Sequence, residues 1–310
     1  MPNLTKQQHY VPQFYLREFA SADGQLWVYD KLLDRKFRTS VKNVAGERYF
    51  YDSEAIEQAV GSRQPVEKFL SSMESQFGHQ IDQLLFRLRA KLFTHLTAEM
   101  RATIAVFMSF QMIRTKEHRI ASLQMLQLMR NFLAKHPNTG KLIKEVDDNM
   151  TEEAQKAFHA RQLFDLPMIL EFSEILCGHI WIITHRHESQ SFYTSDEPVT
   201  KRENVTMPFR GNSGIACKGI EIHLPISHDY SITLYERSHF ANVASRDGKV
   251  FNLPSEQNMI YLRQFAVRYA SRFVFCHDDD FDFAKLVCKE EPHWRDPDRK
   301  RVTSNHDDSA

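Results

Sequence analysis

The spacing of apolar positions changes period twice along the chain, and the changes divide it into three stretches. In the first, LWVYD (Leu26–Asp30) and FRTSV (Phe37–Val41) alternate or carry β-formers, and Lys31–Lys36 can turn between them, so the pattern predicts a hairpin. ERYFYD (Glu47–Asp52) predicts a third short extended segment. In the middle stretch the steps become three and four. Val66, Phe69, Leu70, Met73, Phe77, Ile81, Leu84, Leu85 and Leu88 describe an amphipathic helix, with Pro65 suited to its first turn. A second helix is expected after Thr97. It is apolar nearly all round at Ile104–Ile113, the mark of a buried helix, and it is expected to continue through Leu123–Leu133 and stop near His136–Gly140. Thr151 followed by Glu152 and Glu153 marks another helix start, and Leu166–Leu176 a further helix with Pro167 in its first turn.

After Gly178 the strand pattern returns in IWIITH (Ile180–His185), SFYTSD (Ser191–Asp196), IEIHLP (Ile220–Pro225) and YSITLYE (Tyr230–Glu236). A helix over Asn258–Arg272 and a last strand, FVFC (Phe273–Cys276), follow. The economical fold is α+β: a mostly antiparallel sheet built from the N- and C-terminal segments, with a long helical middle packed against it. Residues 1–290 read as one domain, 54–178 as a helical insertion or subdomain, and 291–310 as a charged, Pro-containing, disordered tail.

Composition narrows the chemistry. Lys+Arg and Asp+Glu are both 40 in 310 residues, so no global positive field holds nucleic acid. Hydrophobic residues at 42% supply a core. Only 10 residues are Gly, and neither G-x-G-x-x-G nor a P-loop occurs; H-E-x-x-H, G-x-S-x-G and an EF-hand loop are absent too. The N-terminus has no apolar signal core, and no apolar run is long enough to span a bilayer, so a soluble, cytoplasmic protein is expected. Cys177, Cys217, Cys276 and Cys288 are widely spaced and read as reduced thiols.

Four segments set polar groups in apolar surroundings. Gln8–Phe19 (QHYVPQFYLREF) carries Gln8 and His9, and an imidazole there can act as general acid or base or be a hydrogen-bonded core group. Gln111 and Arg114 share one face of the most apolar helix. A buried guanidinium needs a carboxylate, carbonyls or a bound anion, and Glu67 and Glu74 are the nearest candidates for an internal pair. Those two glutamates, seven apart on one helix face, would also suit a divalent metal or a division of acid and base roles; the cofactor stays open. Ser195 and Asp196 stand at a strand end, where Asp can orient a His or bind metal, or simply close a turn. His185 and His187 alternate like metal ligands but read better as an exposed strand end. Arg130 with His136 has the spacing of HEPN ribonucleases, with the His misplaced at a helix end beside Pro137.

The opening QHYVPQFYLREF, together with VYDK (Val28–Lys31), KNVAGERYFYD (Lys42–Asp52), the Glu67–Glu74 helix, QMIRT (Gln111–Thr115), SDEPV (Ser195–Val199), HLPIS (His223–Ser227) and the Asn258–Arg272 helix, resembles an uncharacterised microbial family, domain of unknown function 4238. Glu197 stands where members of that family often carry Asn. The resemblance implies a shared fold and no established reaction. On the residues, the leading expectation is a hydrolase of nuclease or phosphodiesterase type acting on nucleic acid or a nucleotide. His9 and Glu74 would move protons, Asp196 would orient His9, Arg114 would grip an anion, and Gln8, Gln111 and Ser195 would bind substrate. The competing expectation is a non-catalytic binding or regulatory module whose polar cluster is a structural network.

Overall fold

A computed structural model describes residues 4–135, 150–188, 190–205 and 214–302. The fold is α+β, as the pattern predicts, with long helices in the middle of the chain packed against sheets from both ends. The expected hairpin is present: β2 (Gln25–Asp30) pairs antiparallel with β3 (Arg35–Ser40). With β11 (Phe273–Cys276) and β6 (Thr194–Ser195) it forms a four-stranded antiparallel sheet in the order β3-β2-β11-β6. A second sheet has the order β10-β5-β9-β8-β7, from β10 (Lys249–Asn252), β5 (Ile180–His185), β9 (Tyr230–Tyr235), β8 (Ile220–Pro225) and β7 (Thr200–Glu203). Only its β10–β5 pair is parallel. A two-stranded ribbon joins β1 (Gln7–His9) to β4 (Gly46–Arg48). A Cβ on Gly46 would stand 2.8 Å from the Gln8 carbonyl oxygen, so the ribbon needs glycine there.

Local chemistry sets the helix limits. A short α1 (Gln13–Arg17) starts behind Pro12, and α2 (Glu54–Val60) starts where the Ser53 hydroxyl accepts the Ile56 N–H. The long α3 (Pro65–Arg89) has Pro at its first position, as expected. Thr97 caps α4 (Ala98–Arg114), whose apolar faces are buried at Ile104, Phe107, Met108, Phe110 and Ile113. The helix expected to run on to Leu133 is broken at Thr115. That residue is extended, at φ −78 and ψ 160, and its hydroxyl accepts the His118 N–H to start α5 (Lys116–Ala134). Next come α6 (Glu152–Phe164), α7 (Leu166–Cys177), α8 (Glu256–Tyr269) and α9 (Asp282–Glu290). The central α4 packs most extensively against α7 and also against α3, so its last turn lies inside the molecule beside the N-terminal segment. Residues 303–310 of the expected disordered tail lie outside the described residues. Residues 291–302 carry a 3-10 turn at Pro292–Arg295, and Arg299 and Arg301 both bond Glu117 at the start of α5.

Candidate functional site

The last turn of α4 holds the N-terminal segment by its backbone. Gln111 Nε2 donates to the Tyr10 carbonyl at 3.0 Å, and Arg114 donates to the His9 carbonyl at 2.6 Å. Their three-residue spacing matches two consecutive carbonyls of a passing strand. Arg114 is 4% exposed and also donates to Glu74 Oε1 at 2.7 Å. Burial pulls its guanidinium downward, but Tyr51 and Glu74 outweigh that and hold its pKa above the usual arginine value. The internal carboxylate partner anticipated for Arg114 is therefore Glu74. The Tyr51 hydroxyl donates to the Arg114 carbonyl at 2.9 Å, which ties the far end of the same turn.

Gln8 extends the network to the loop before α2. Its Oε1 accepts the Tyr51 N–H at 2.7 Å and its amide donates to Asp52. Asp52 also receives Gln64 Nε2, and Gln64 exchanges two hydrogen bonds of 2.9 Å with the backbone of Thr5. Both faces of the segment that opens QHYVP are thus bonded within the chain. Glu67, a half-buried neighbour on α3, has its carboxyl pushed up to about 7 by burial and by the charges of Glu74 and Asp52, against the pull of Arg114.

His9, like Glu67 and Glu74, stays partly open. Its Nε2 lies 3.2 Å from the Lys42 carbonyl and its Nδ1 3.4 Å from the Gln13 amide nitrogen. These partners put the proton on Nε2 and leave Nδ1 as acceptor. Burial lowers its pKa. Gln13 and Glu74 also line an open groove of about 1080 Å³ between α1 and α3, with Arg17, Ser71, His79 and Asp82.

Ser195 and Asp196 spend their hydrogen bonds on other partners. The Asp196 carboxylate accepts the backbone N–H groups of Ser271 and Arg272 at 2.8 Å and of Phe273 at 2.9 Å. It pins the turn between α8 and β11. Burial raises its pKa, opposed by the Phe273 N–H and the Lys31 charge. Ser195 Oγ donates to the Glu197 carbonyl and accepts the Glu197 N–H. The expected role of Asp196 in orienting His9 is not what the geometry gives, because its lone pairs go to three backbone donors and the His9 ring bonds Lys42 and Gln13. Gln8, His9, Glu74, Gln111 and Arg114 come together; Ser195 and Asp196 are bonded to other groups, although the Asp196 charge acts on Tyr10, next to His9.

Among the described residues, no group of three or more His, Cys, Asp or Glu is placed to hold a metal ion, and no helix is long and apolar enough to cross a membrane. His185 packs on the Tyr230 ring. Arg130 lies in α5, and His136 lies outside the described residues.

Several buried polar residues escape a reading of the sequence. Lys31 is fully buried and donates to the carbonyls of Val267 and Ala270 at 2.7 Å, which caps α8 from a distance. His159 Nε2 donates to the Ile113 carbonyl at 2.7 Å while its Nδ1 accepts Arg119. His223 is 1% exposed between Thr233 and the Phe265 ring, and burial pushes it down to about 3. The polar alternation of Glu221 and His223 on β8 looks like a solvated strand face; α8 covers that face, with the Tyr261 hydroxyl 2.6 Å from Glu221. Sequence period gives the face of a strand but not what lies over it.

No curated protein and no solved structure matches the chain. The model of a family described as a protein of unknown function, DUF4238, matches residues 7–280, from the strand that carries Gln8 and His9 past the end of β11. With most of its length covered by that match, the chain belongs to the DUF4238 family.

Proposed function

We propose that this chain is a non-catalytic binding or regulatory module, and that its N-terminal polar cluster is an internal network that fixes the fold. One observation carries the reading: the Arg114 guanidinium, at 4% exposure, is committed to Glu74 and to the His9 carbonyl. Both bonds come from Nη2, so a phosphate could take that nitrogen only by displacing them, at the cost of a partly buried ion pair. The groove beside the cluster is the natural ligand surface. Its lining sets Glu74 and Asp82 against Arg17, a balance that does not favour a polyanion such as nucleic acid. Incubation of the purified protein with RNA, single- and double-stranded DNA and a model phosphodiester, with and without Mg²⁺ or Mn²⁺, is expected to give no turnover.

A hydrolase is the second reading, and a specific observation favours it. His9 is half-buried and open at one side, and Glu67, held up to about 7, is the kind of carboxyl that donates a proton near neutrality. Phosphodiester turnover that vanishes in His9→Ala, with an unchanged melting temperature, would select this reading and displace the first.

A further inference from the structure

We infer that a single water molecule is a built-in part of the cluster, held between Arg114 Nε and Gln111 Oε1. The inference rests on reading Arg114 as a closed structural group. Both atoms are buried and neither has a hydrogen-bond partner within the chain. They are complementary: Nε–H is a donor and the amide oxygen an acceptor. The orientation of the Gln111 amide is fixed by its other end, since only its NH₂ can pair with the Tyr10 carbonyl, so Oε1 must face away from that carbonyl.

The space is also present. Arg114, Gln111 and Glu74 share a small cavity with the rings of Phe77, Phe107 and Phe110. Its volume is about 10 Å³. That is the room one water needs, and too little for phosphate or an organic anion. A water there accepts from Arg114 Nε–H and donates to Gln111 Oε1. Each of those groups would otherwise bear the desolvation cost of a buried, unbonded polar atom. The apolar walls offer it no polar partner, and the Glu74 carboxylate on the lining is a further acceptor for its second hydrogen.

A high-resolution crystal structure of the intact protein tests this, since an ordered buried water is part of the structure it shows. The expected result is one well-ordered peak within hydrogen-bond distance of both atoms. In Gln111→Met, which keeps the volume but removes the acceptor together with the donor to the Tyr10 carbonyl, that peak is expected to be lost while the Arg114–Glu74 pair stays. No peak in the wild-type protein, or a direct Arg114 Nε–Gln111 Oε1 contact, overturns the water but leaves the network reading intact. An anion seated on Arg114 overturns both. Should Gln111→Met fail to fold, the wild-type density decides alone.

Discussion

At the scale of single residues, the cluster is organised by which groups keep their charge. Glu67 is the strained member. Its carboxyl is raised from 4.5 to about 7, so an unfolded chain ionises it first as pH rises. Between those two values the folded state therefore loses stability with increasing pH. The buried histidines act in the opposite direction. His118 is pushed down to about 4 and His223 to about 3, both by burial. Below pH 6.5 the unfolded chain binds protons that the folded chain refuses, and stability falls toward acid. Glu67→Gln removes the first effect only. In urea titrations at several pH values it should be more stable than the wild type at pH 7.5, close to it at pH 4.5, and show the same acid limb. The same scale explains what was legible. A buried Arg three residues from Gln on an apolar helix demanded an internal partner or an anion, and Glu74 lay on the neighbouring helix. The destination of Asp196 was not legible, because its partners are backbone N–H groups 75 to 77 positions away, which carry no side-chain signature.

At the scale of elements, starts were written more plainly than interruptions. Pro65, Thr97, Thr151 and Pro167 each stand where a helix begins, because a missing N–H or a hydroxyl acceptor answers the unsatisfied first turn. The break at Thr115 has no Gly or Pro to announce it. Thr115 ends α4 in extended geometry and caps α5 through its hydroxyl, and so aims Arg114 inward and α5 away. Thr115→Ala should cost about 1 kcal/mol in chemical denaturation, in the range of a lost N-cap. Thr115→Ser, which keeps the acceptor, should recover most of it. The short strands β1, β7 and β10, of three or four residues, were not legible, and β4 was anticipated only where the extended segment expected at Glu47–Asp52 overlaps it: these are ribbon and edge strands, and pairing rather than period defines them.

At the scale of the whole molecule, the two chain ends close the fold together. β11 is inserted between β2 and β6, so residues from both ends share one sheet. The last described segment then acts as a clasp. Arg295 donates to the Lys31 carbonyl at 2.7 Å, Arg299 reaches Glu117 at 2.7 Å and the Ala270 carbonyl at 3.1 Å, and the Trp294 ring packs on Tyr269. It thereby joins the hairpin turn, the start of α5 and the end of α8. Charge and Pro content suggested a loose tail there, because composition registers solvation but not the buried acceptors the arginines find. Truncation after Glu290 should lower the melting temperature by roughly 5 °C or more, since each kilocalorie lost moves a chain of this size by a few degrees. A truncated chain that melts with the wild type would show the clasp to be energetically idle.

In this structure α4 holds the N-terminal segment through Gln111 and Arg114, and Arg114 Nη2 is committed to the His9 carbonyl and Glu74. Hydrogen exchange of the backbone amides of residues 7–11 and 46–48, compared between the wild type and Arg114→Ala under native conditions, tests it most directly. Loss of the Arg114 bonds to Glu74 and the His9 carbonyl should speed exchange across both strands of the ribbon by about 10-fold or more. Unchanged protection there, with the effect of the substitution seen instead as loss of ligand binding or turnover, would show that Arg114 serves a ligand and does not hold the segment.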